Sequence, residues 1–135
     1  MKFIVDADVL SEPTKPAPSE RVLDWLRANE SELAVSPIVL GEIEFGIRAL
    51  PAGKRRARLE RWFVAGAPRL RTLDFTFETS TTWAKLLVRL RKKGASMPIK
   101  DSLIAATALT HDLTMATRNV ADYRRSGVRL VNPFA

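Results

Sequence analysis

Asp6 and Asp8 stand two residues apart immediately behind an apolar run; Asp101 and Asp122 fall near the starts of helix-like segments, and Glu42 lies about two turns into another. Carboxylates gathered at one place repel one another, and a hard divalent cation with oxygen ligands offsets that repulsion. Mg²⁺ or Mn²⁺ held by a few carboxylates and several waters suits phosphoryl chemistry. Such an ion polarises a phosphodiester, lowers the pKa of a bound water and stabilises the departing oxygen. Whether these acids meet depends on the elements that carry them.

Lys2 to Val5 is a short apolar stretch with β-branched content and reads as a buried strand ending at Asp6. Ser11 to Ser19 holds three prolines and reads as a loop. Ser19 caps a predicted helix whose apolar face carries Val22, Leu23, Trp25 and Leu26. Leu33–Ser36 is a second strand, and Ser36-Pro37 is a cap followed by proline at the first helical position. The helix that follows, to about Leu50, puts Ile38, Glu42, Phe45 and Ala49 along one side. Pro51-Ala52-Gly53 breaks the chain, and Lys54–Val64 is a basic helix anchored by Leu59, Trp62 and Phe63. Leu70–Leu73 is a third strand. The spacing of Trp83, Leu86, Leu87 and Leu90 predicts a long helix from about Thr76 to Lys93, ended by Gly94. Pro98 opens another helix, running from Asp101 to His111. Thr114–Thr117 is a strand, Val120–Arg125 a short helix, and Val128–Val131 the last strand.

Strands alternating with helices give a parallel sheet covered on both faces, within one domain over residues 1–135. Such sheets bind ligands beyond the carboxyl ends of their strands, where strand order reverses. Asp6 and Asp8 follow strand one, Glu42 lies in the helix after strand two, and Asp122 lies in the helix after strand four, so all four belong to that rim. Asp101 is different. Its helix must start near the end of the preceding long helix, and the pattern does not decide whether the Gly94–Met97 connection returns it to the same rim. Each acid also has an ordinary explanation: Asp8 as a cap of the Val9-Leu10 turn, Glu42 as an exposed helical residue, Asp101 as a dipole-favoured first-turn acid, and Asn119 with Asp122 as a capping pair. Their shared location favours a site.

The formal net charge is +7 over 135 residues, which points to a polyanion, nucleic acid being the commonest. The absence of cysteine removes thiolate chemistry and disulfides and suits a reducing cytoplasm. No stretch reads as a secretory signal or a membrane span. Two basic clusters could guide a nucleic-acid backbone: Lys54, Arg55, Arg56, Arg58 and Arg61, and Arg89, Arg91, Lys92 and Lys93. The second is equally explained by its place at a helix C-terminus.

The stretches IVDADVLSEPTKPAPSERVLDWL, VSPIVLGEIEFGI, MPIKDSLIAATAL and ATRNVADY, followed by VNPF, resemble PIN-domain proteins of the VapC/FitB-like toxin group, in order and over almost the whole chain. The resemblance implies a three-layer α/β/α sandwich with a central parallel sheet. It also implies Mg²⁺- or Mn²⁺-dependent endoribonuclease activity, a homodimer and a cognate antitoxin partner. The antitoxin would be the DNA-binding member, so this chain would reach DNA only through it. The acidic positions of the resemblance fall on Asp6, Glu42, Asp101 and Asp122, with Asp6, Asp101 and Asp122 as metal ligands, which places Asp101 on the rim. Thr117 and Asn119 match polar positions supporting the acids. One departure stands out: the first motif usually reads Asp-Thr-Asn, whereas this chain has Asp6-Ala7-Asp8, so a carboxylate that can only accept hydrogen bonds replaces an amide. Asp8 is then expected near the metal's water shell.

Two other functions compete. A receiver-like phosphoacceptor domain also pairs acids after strand one and could use Asp74 and Thr117, but it needs a late lysine, and none follows Lys100. A non-catalytic nucleic-acid-binding module explains the charge but not the gathered acids. His111 is the single histidine and precedes strand four, which excludes a Ser-His-Asp triad and a multi-histidine metal site at the acid rim. Trp25, Trp62 and Trp83 sit at apolar helical positions and read as core or dimer contacts.

Overall fold

Ser19, Ser36 and Thr76 each start a helix by accepting a backbone N–H with their side-chain oxygen, from Val22, Ile38 and Thr79 respectively. In the computed structural model, which describes residues 1–135, the elements follow in the order β1 (Phe3–Val5), α1 (Ala7–Leu10), α2 (Glu20–Ala28), β2 (Leu33–Val35), α3 (Pro37–Arg48), α4 (Lys54–Gly66), β3 (Arg71–Thr72), α5 (Phe77–Lys92), α6 (Ile99–Thr110), β4 (Thr114–Ala116), α7 (Val120–Tyr123) and β5 (Leu130–Val131). Short 3₁₀ turns lie at Glu12–Thr14, Glu30–Glu32, Ala67–Arg69 and Arg124–Ser126.

The five strands form one parallel sheet in the order β3-β2-β1-β4-β5. The chain builds outward from β1 through β2 to β3, then crosses to β4 on the other side of β1. Strand order therefore reverses between β1 and β4, and that seam is where a doubly wound sheet opens its crevice. Side chains of successive strand residues point to opposite faces. Accordingly, Ile4 joins a core with Val39, Ile43, Leu86, Leu90, Ile104 and Met115, while Val5 joins a smaller cluster with Val9 and Val22. This is the α/β/α arrangement expected from the alternating pattern. No helix is long and apolar enough to cross a membrane.

Three expectations need adjustment. The Val9-Leu10 turn belongs to a helix: Asp6 accepts the Ala7 N–H and starts α1, a four-residue helix too short to show a period. Val39, Ile43 and Ile47 form the buried face of α3, whereas Phe45 is 75% exposed, so the side carrying Glu42 and Phe45 faces away from the core. Beyond Val120–Tyr123 the chain tightens into a 3₁₀ turn instead of continuing an α-helix to Arg125. Gly94 ends α5 in the left-handed region (φ +64), where a side chain would be strained. Trp25 meets Phe3 edge-on with ring centroids 5.0 Å apart, and Trp62 packs against the larger core. His111 is exposed at the end of α6.

Candidate active site

Asp6 follows β1 directly and is only 7% exposed, yet both of its carboxylate oxygens are occupied. Oδ1 accepts the Ala7 N–H at 2.9 Å, and Oδ2 accepts the buried Thr117 hydroxyl at 2.8 Å across the β1–β4 seam. Because that hydroxyl proton goes to Asp6, Thr117 Oγ1 is left as an acceptor and takes the Asn119 N–H at 3.0 Å. A second tie crosses the same seam: Asp8 Oδ2 accepts the Arg118 N–H at 3.0 Å. The Asp8 carboxyl is thus anchored to the β4–α7 turn, not free in solution. Its Oδ1 is buried without a partner, and burial together with the Asp6 charge pushes its pKa up. An acid at position 8 fits this place as a pure acceptor for a backbone N–H. The N-cap of α1 is Asp6, with Asp8 in the first turn.

Asp101 lies in the first turn of α6, and the structure brings it to the rim. Its pKa is raised by burial and by the charges of Asp6 and Asp122, while the Tyr123 hydroxyl, 3.3 Å from Oδ1, acts in the opposite sense. Ala95 to Pro98, which is neither helix nor strand, makes the connection. The start of α6 is held in place by a chain of two hydrogen bonds. Trp83 Nε1 on α5 donates to Ser102 Oγ at 2.9 Å, and Ser102 Oγ donates to the Ile99 carbonyl at 2.6 Å. Asp122, in the first turn of α7, is exposed and has no side-chain hydrogen bond within the protein. Asn119 makes no side-chain cap, so the capping-pair explanation does not hold; only its backbone carbonyl meets Asp122 N.

Glu42 reaches the rim from α3, with Oε2 3.0 Å from Lys100 Nζ. Sequence reasoning missed Lys100 and Tyr123. Tyr123 is fully buried, and its phenol is pushed far above the ordinary range by burial and by the charges of Asp6, Asp101 and Glu42, so it stays a hydrogen-bond donor. The sequence signal for Tyr123 was its position one residue after Asp122. For Lys100 it was a cation at the second residue of a helix, against the dipole.

The structure thus places Asp6, Asp8, Glu42, Asp101, Asp122, Thr117 and Asn119 around one seam. No three carboxylates close on a single point as a ready-made cage. Mg²⁺ needs no such cage, since it keeps several waters and takes one or two protein carboxylates plus substrate phosphates. The donor set is all oxygen, and the acids outnumber the one ammonium that pairs with them, Lys100 on Glu42. The residues therefore fit a hydrated divalent cation. Close by, Arg55 of α4 shares a cleft with Glu42, Ala7, Ser11 and Thr14. An adjoining apolar groove of about 300 Å³, lined among others by Leu10, Leu40, Ile43, Trp62 and Phe63, meets that cleft at Ile43 and Trp62.

The PIN domain matches residues 3–125, and the chain belongs to the PIN-domain family. It is 36% identical to the VapC ribonuclease Y4jK of Sinorhizobium fredii, covering 98% of this chain and 97% of that one. It is 32% identical to the toxin FitB of Neisseria gonorrhoeae, covering 98% of each. A solved structure of FitAB bound to an IR36 DNA fragment superposes with a TM-score of 0.91 at 29% identity, covering 98% of this chain and 96% of that one.

Proposed function

We propose that this protein is a metal-dependent endoribonuclease that hydrolyses RNA phosphodiesters and serves as the toxin of a toxin–antitoxin pair. The observation that carries the reading is the β1–β4 seam. There a buried Asp6 is fixed by Thr117, and the charges of Asp101 and Asp122 bear on the same space, in a chain of the PIN family whose relatives include a ribonuclease and a toxin.

Asp6, Asp101 and Asp122 would hold Mg²⁺ or Mn²⁺, which when bound supplies an activated water and charge stabilisation on the phosphodiester. Glu42 would orient that water or a second ion. Thr117 fixes the rotation of Asp6, Asn119 N–H fixes Thr117, and Tyr123 fixes Asp101 through a phenol that keeps its proton. Positioning of this kind places the reacting groups before substrate arrives. Arg55 borders the cleft, and Lys54, Arg58 and Arg61 extend a positive face beside it, suited to RNA phosphates. Arg56 is turned to Glu60 at 2.6 Å and the Leu50 carbonyl, so it stands apart from this face. In the second basic cluster, Arg89 donates to the Ser126 carbonyl and serves the fold.

The partner of this reading is an antitoxin that seats apolar side chains in the groove by Trp62 and Phe63 and extends a segment over the acids. DNA contact belongs to the antitoxin, and the toxin acts as a homodimer. The receiver-like alternative lacks its late lysine and leaves Glu42, Asp101 and Asp122 without a use, and the purely binding alternative leaves the gathered acids without one.

The test is cleavage of RNA by the purified protein and by Asp6→Asn, with and without added Mg²⁺ or Mn²⁺. Cleavage that requires the ion and falls at least about a hundredfold in a folded Asp6→Asn variant supports the reading. Unchanged cleavage by that variant removes it.

A further inference from the structure

Lys100 occupies an unfavourable position by local rules. It is the second residue of α6, where the partial positive charge of a helix N-terminus disfavours a cation. A local rule broken without local compensation points to a role in the tertiary structure. The compensation here is Glu42, on a different helix, whose Oε2 is 3.0 Å from Lys100 Nζ. Of the other ion pairs in the structure, none includes Asp6, Glu42, Asp101 or Asp122. The ammonium also lies within the fields of Asp101 and Asp6. It is therefore the one cation of the chain paired with an acid of the rim.

We propose that Lys100 is a tethered counter-ion that competes with a divalent cation for the Glu42 carboxylate. The inference rests on the metal-dependent reading of the site. The Lys100 side chain is 54% exposed and that of Glu42 is 25% exposed, so their bond is partly screened and weak enough to exchange. Lysine suits exchange: its charge is a compact point on a flexible four-carbon stem, without the fixed two-pronged grip of arginine. With no divalent ion bound, Lys100 holds Glu42 toward α6 and offsets part of the mutual repulsion of the acids. A divalent ion carries twice the charge and displaces it. Glu42 is then shared between two states of the site, and divalent affinity is lower than the four acids alone would give.

The experiment is a calorimetric Mn²⁺ titration of the full chain without RNA, comparing the parent with Lys100→Met, Lys100→Gln, Glu42→Gln and the Lys100→Met/Glu42→Gln double variant. Lys100→Met and Lys100→Gln should tighten Mn²⁺ binding about three- to tenfold, the range expected for removing one partly screened charge from the contest. Most of that gain should vanish when Glu42→Gln is already present, because the competition acts through Glu42. Unchanged or weaker Mn²⁺ binding in both Lys100 variants overturns the proposal. An equal gain with and without Glu42→Gln also overturns it, since that marks simple long-range repulsion. If neither the parent nor Lys100→Met binds Mn²⁺, the metal reading of the whole site fails along with this inference; if the parent binds and the Lys100 variants do not differ from it, only this inference fails.

Discussion

The β1–β4 seam and the α4 helix, whose Arg55 shares a cleft with Ala7 and Glu42, are built by opposite means. At the seam, the buried Asp6 carboxylate and Thr117 hydroxyl each have fixed partners. Asp6, Thr117, Asn119, Asp8 and Arg118 form two ties across it. On α4, Lys54, Arg55, Arg58 and Arg61 are exposed and make no ion pair, while Leu59, Trp62 and Phe63 on the other side anchor the helix. Fixed geometry is what a reacting centre needs, because a displacement of an ångström removes much of its rate. Loose, like-signed charge is enough to draw in a polyanion, because that attraction depends on charge more than on angle.

The comparison breaks if the seam tolerates change. Thr117→Val removes the donor to Asp6 Oδ2 and the acceptor for Asn119 N–H while keeping shape. RNA cleavage should fall about ten- to a hundredfold, and denaturant unfolding should show a loss of about 1–3 kcal/mol from the unsatisfied buried groups. Wild-type cleavage in this variant would mean that Asp6 needs no fixing.

The next effect falls on the apolar side of α4. Phe63→Asp places a charge in the groove by Trp62 and should weaken capture of the cognate antitoxin by at least about tenfold, with cleavage by the isolated protein retained. A pull-down or calorimetric titration against the antitoxin checks it. Full antitoxin affinity in a folded Phe63→Asp protein would move the antitoxin seat elsewhere.

The exposed side of α4 should respond by degree. Changing Arg55, Arg58 and Arg61 together to Ser should weaken RNA binding and flatten its salt dependence by about 0.7 in slope for each phosphate no longer neutralised. The cleavage step on bound RNA should change little. A slope equal to that of the parent would make this face ordinary solvated surface.

A pH measurement sharpens the same contrast away from the site. Glu12 is buried and accepts the Ser19 N–H at 2.8 Å, with Lys15 Nζ 3.0 Å away, so its pKa is held below the ordinary 4.5. A depressed carboxyl contributes stability above its unfolded pKa and loses it as pH falls through the folded value. Glu12→Gln should therefore be about 1 kcal/mol less stable than the parent at pH 7. That gap should close as pH falls below 4.5. A gap that stays constant as the solution is acidified would show that the charge of Glu12 contributes nothing. The smallest effect is expected from Asp8→Asn. The amide oxygen can still accept the Arg118 N–H, so the fold should hold and Mn²⁺ affinity should change less than about threefold.

The elements that carry the site follow from local signals. Ser19, Ser36-Pro37, Thr76 and Gly94 set helix ends within a residue or two because caps and left-handed stops act within one turn. Short apolar strands end at Asp6 and just before Thr117, so those two residues were legible as rim residues from the alternating pattern. Phe45 was harder to place, because an apolar residue on an amphipathic helix looks the same in sequence whether it faces the core or solvent.

Tertiary structure decided the rest. Strand order put β4 beside β1 and so let Thr117 bond an Asp6 carboxylate 111 residues away. The link from Gly94 to Pro98 and the packing of α5 on α6 through Trp83 and Ser102 brought Asp101 to the acids. The pairing of Lys100 with Glu42 and the burial of the Tyr123 hydroxyl beside Asp101 exist only because α3, α6 and α7 converge on one seam. Periodicity and capping are properties of a few consecutive residues and can be read along the chain. An ion pair or a shifted pKa belongs to groups that meet only once the sheet has chosen its strand order, and no local signal encodes that meeting.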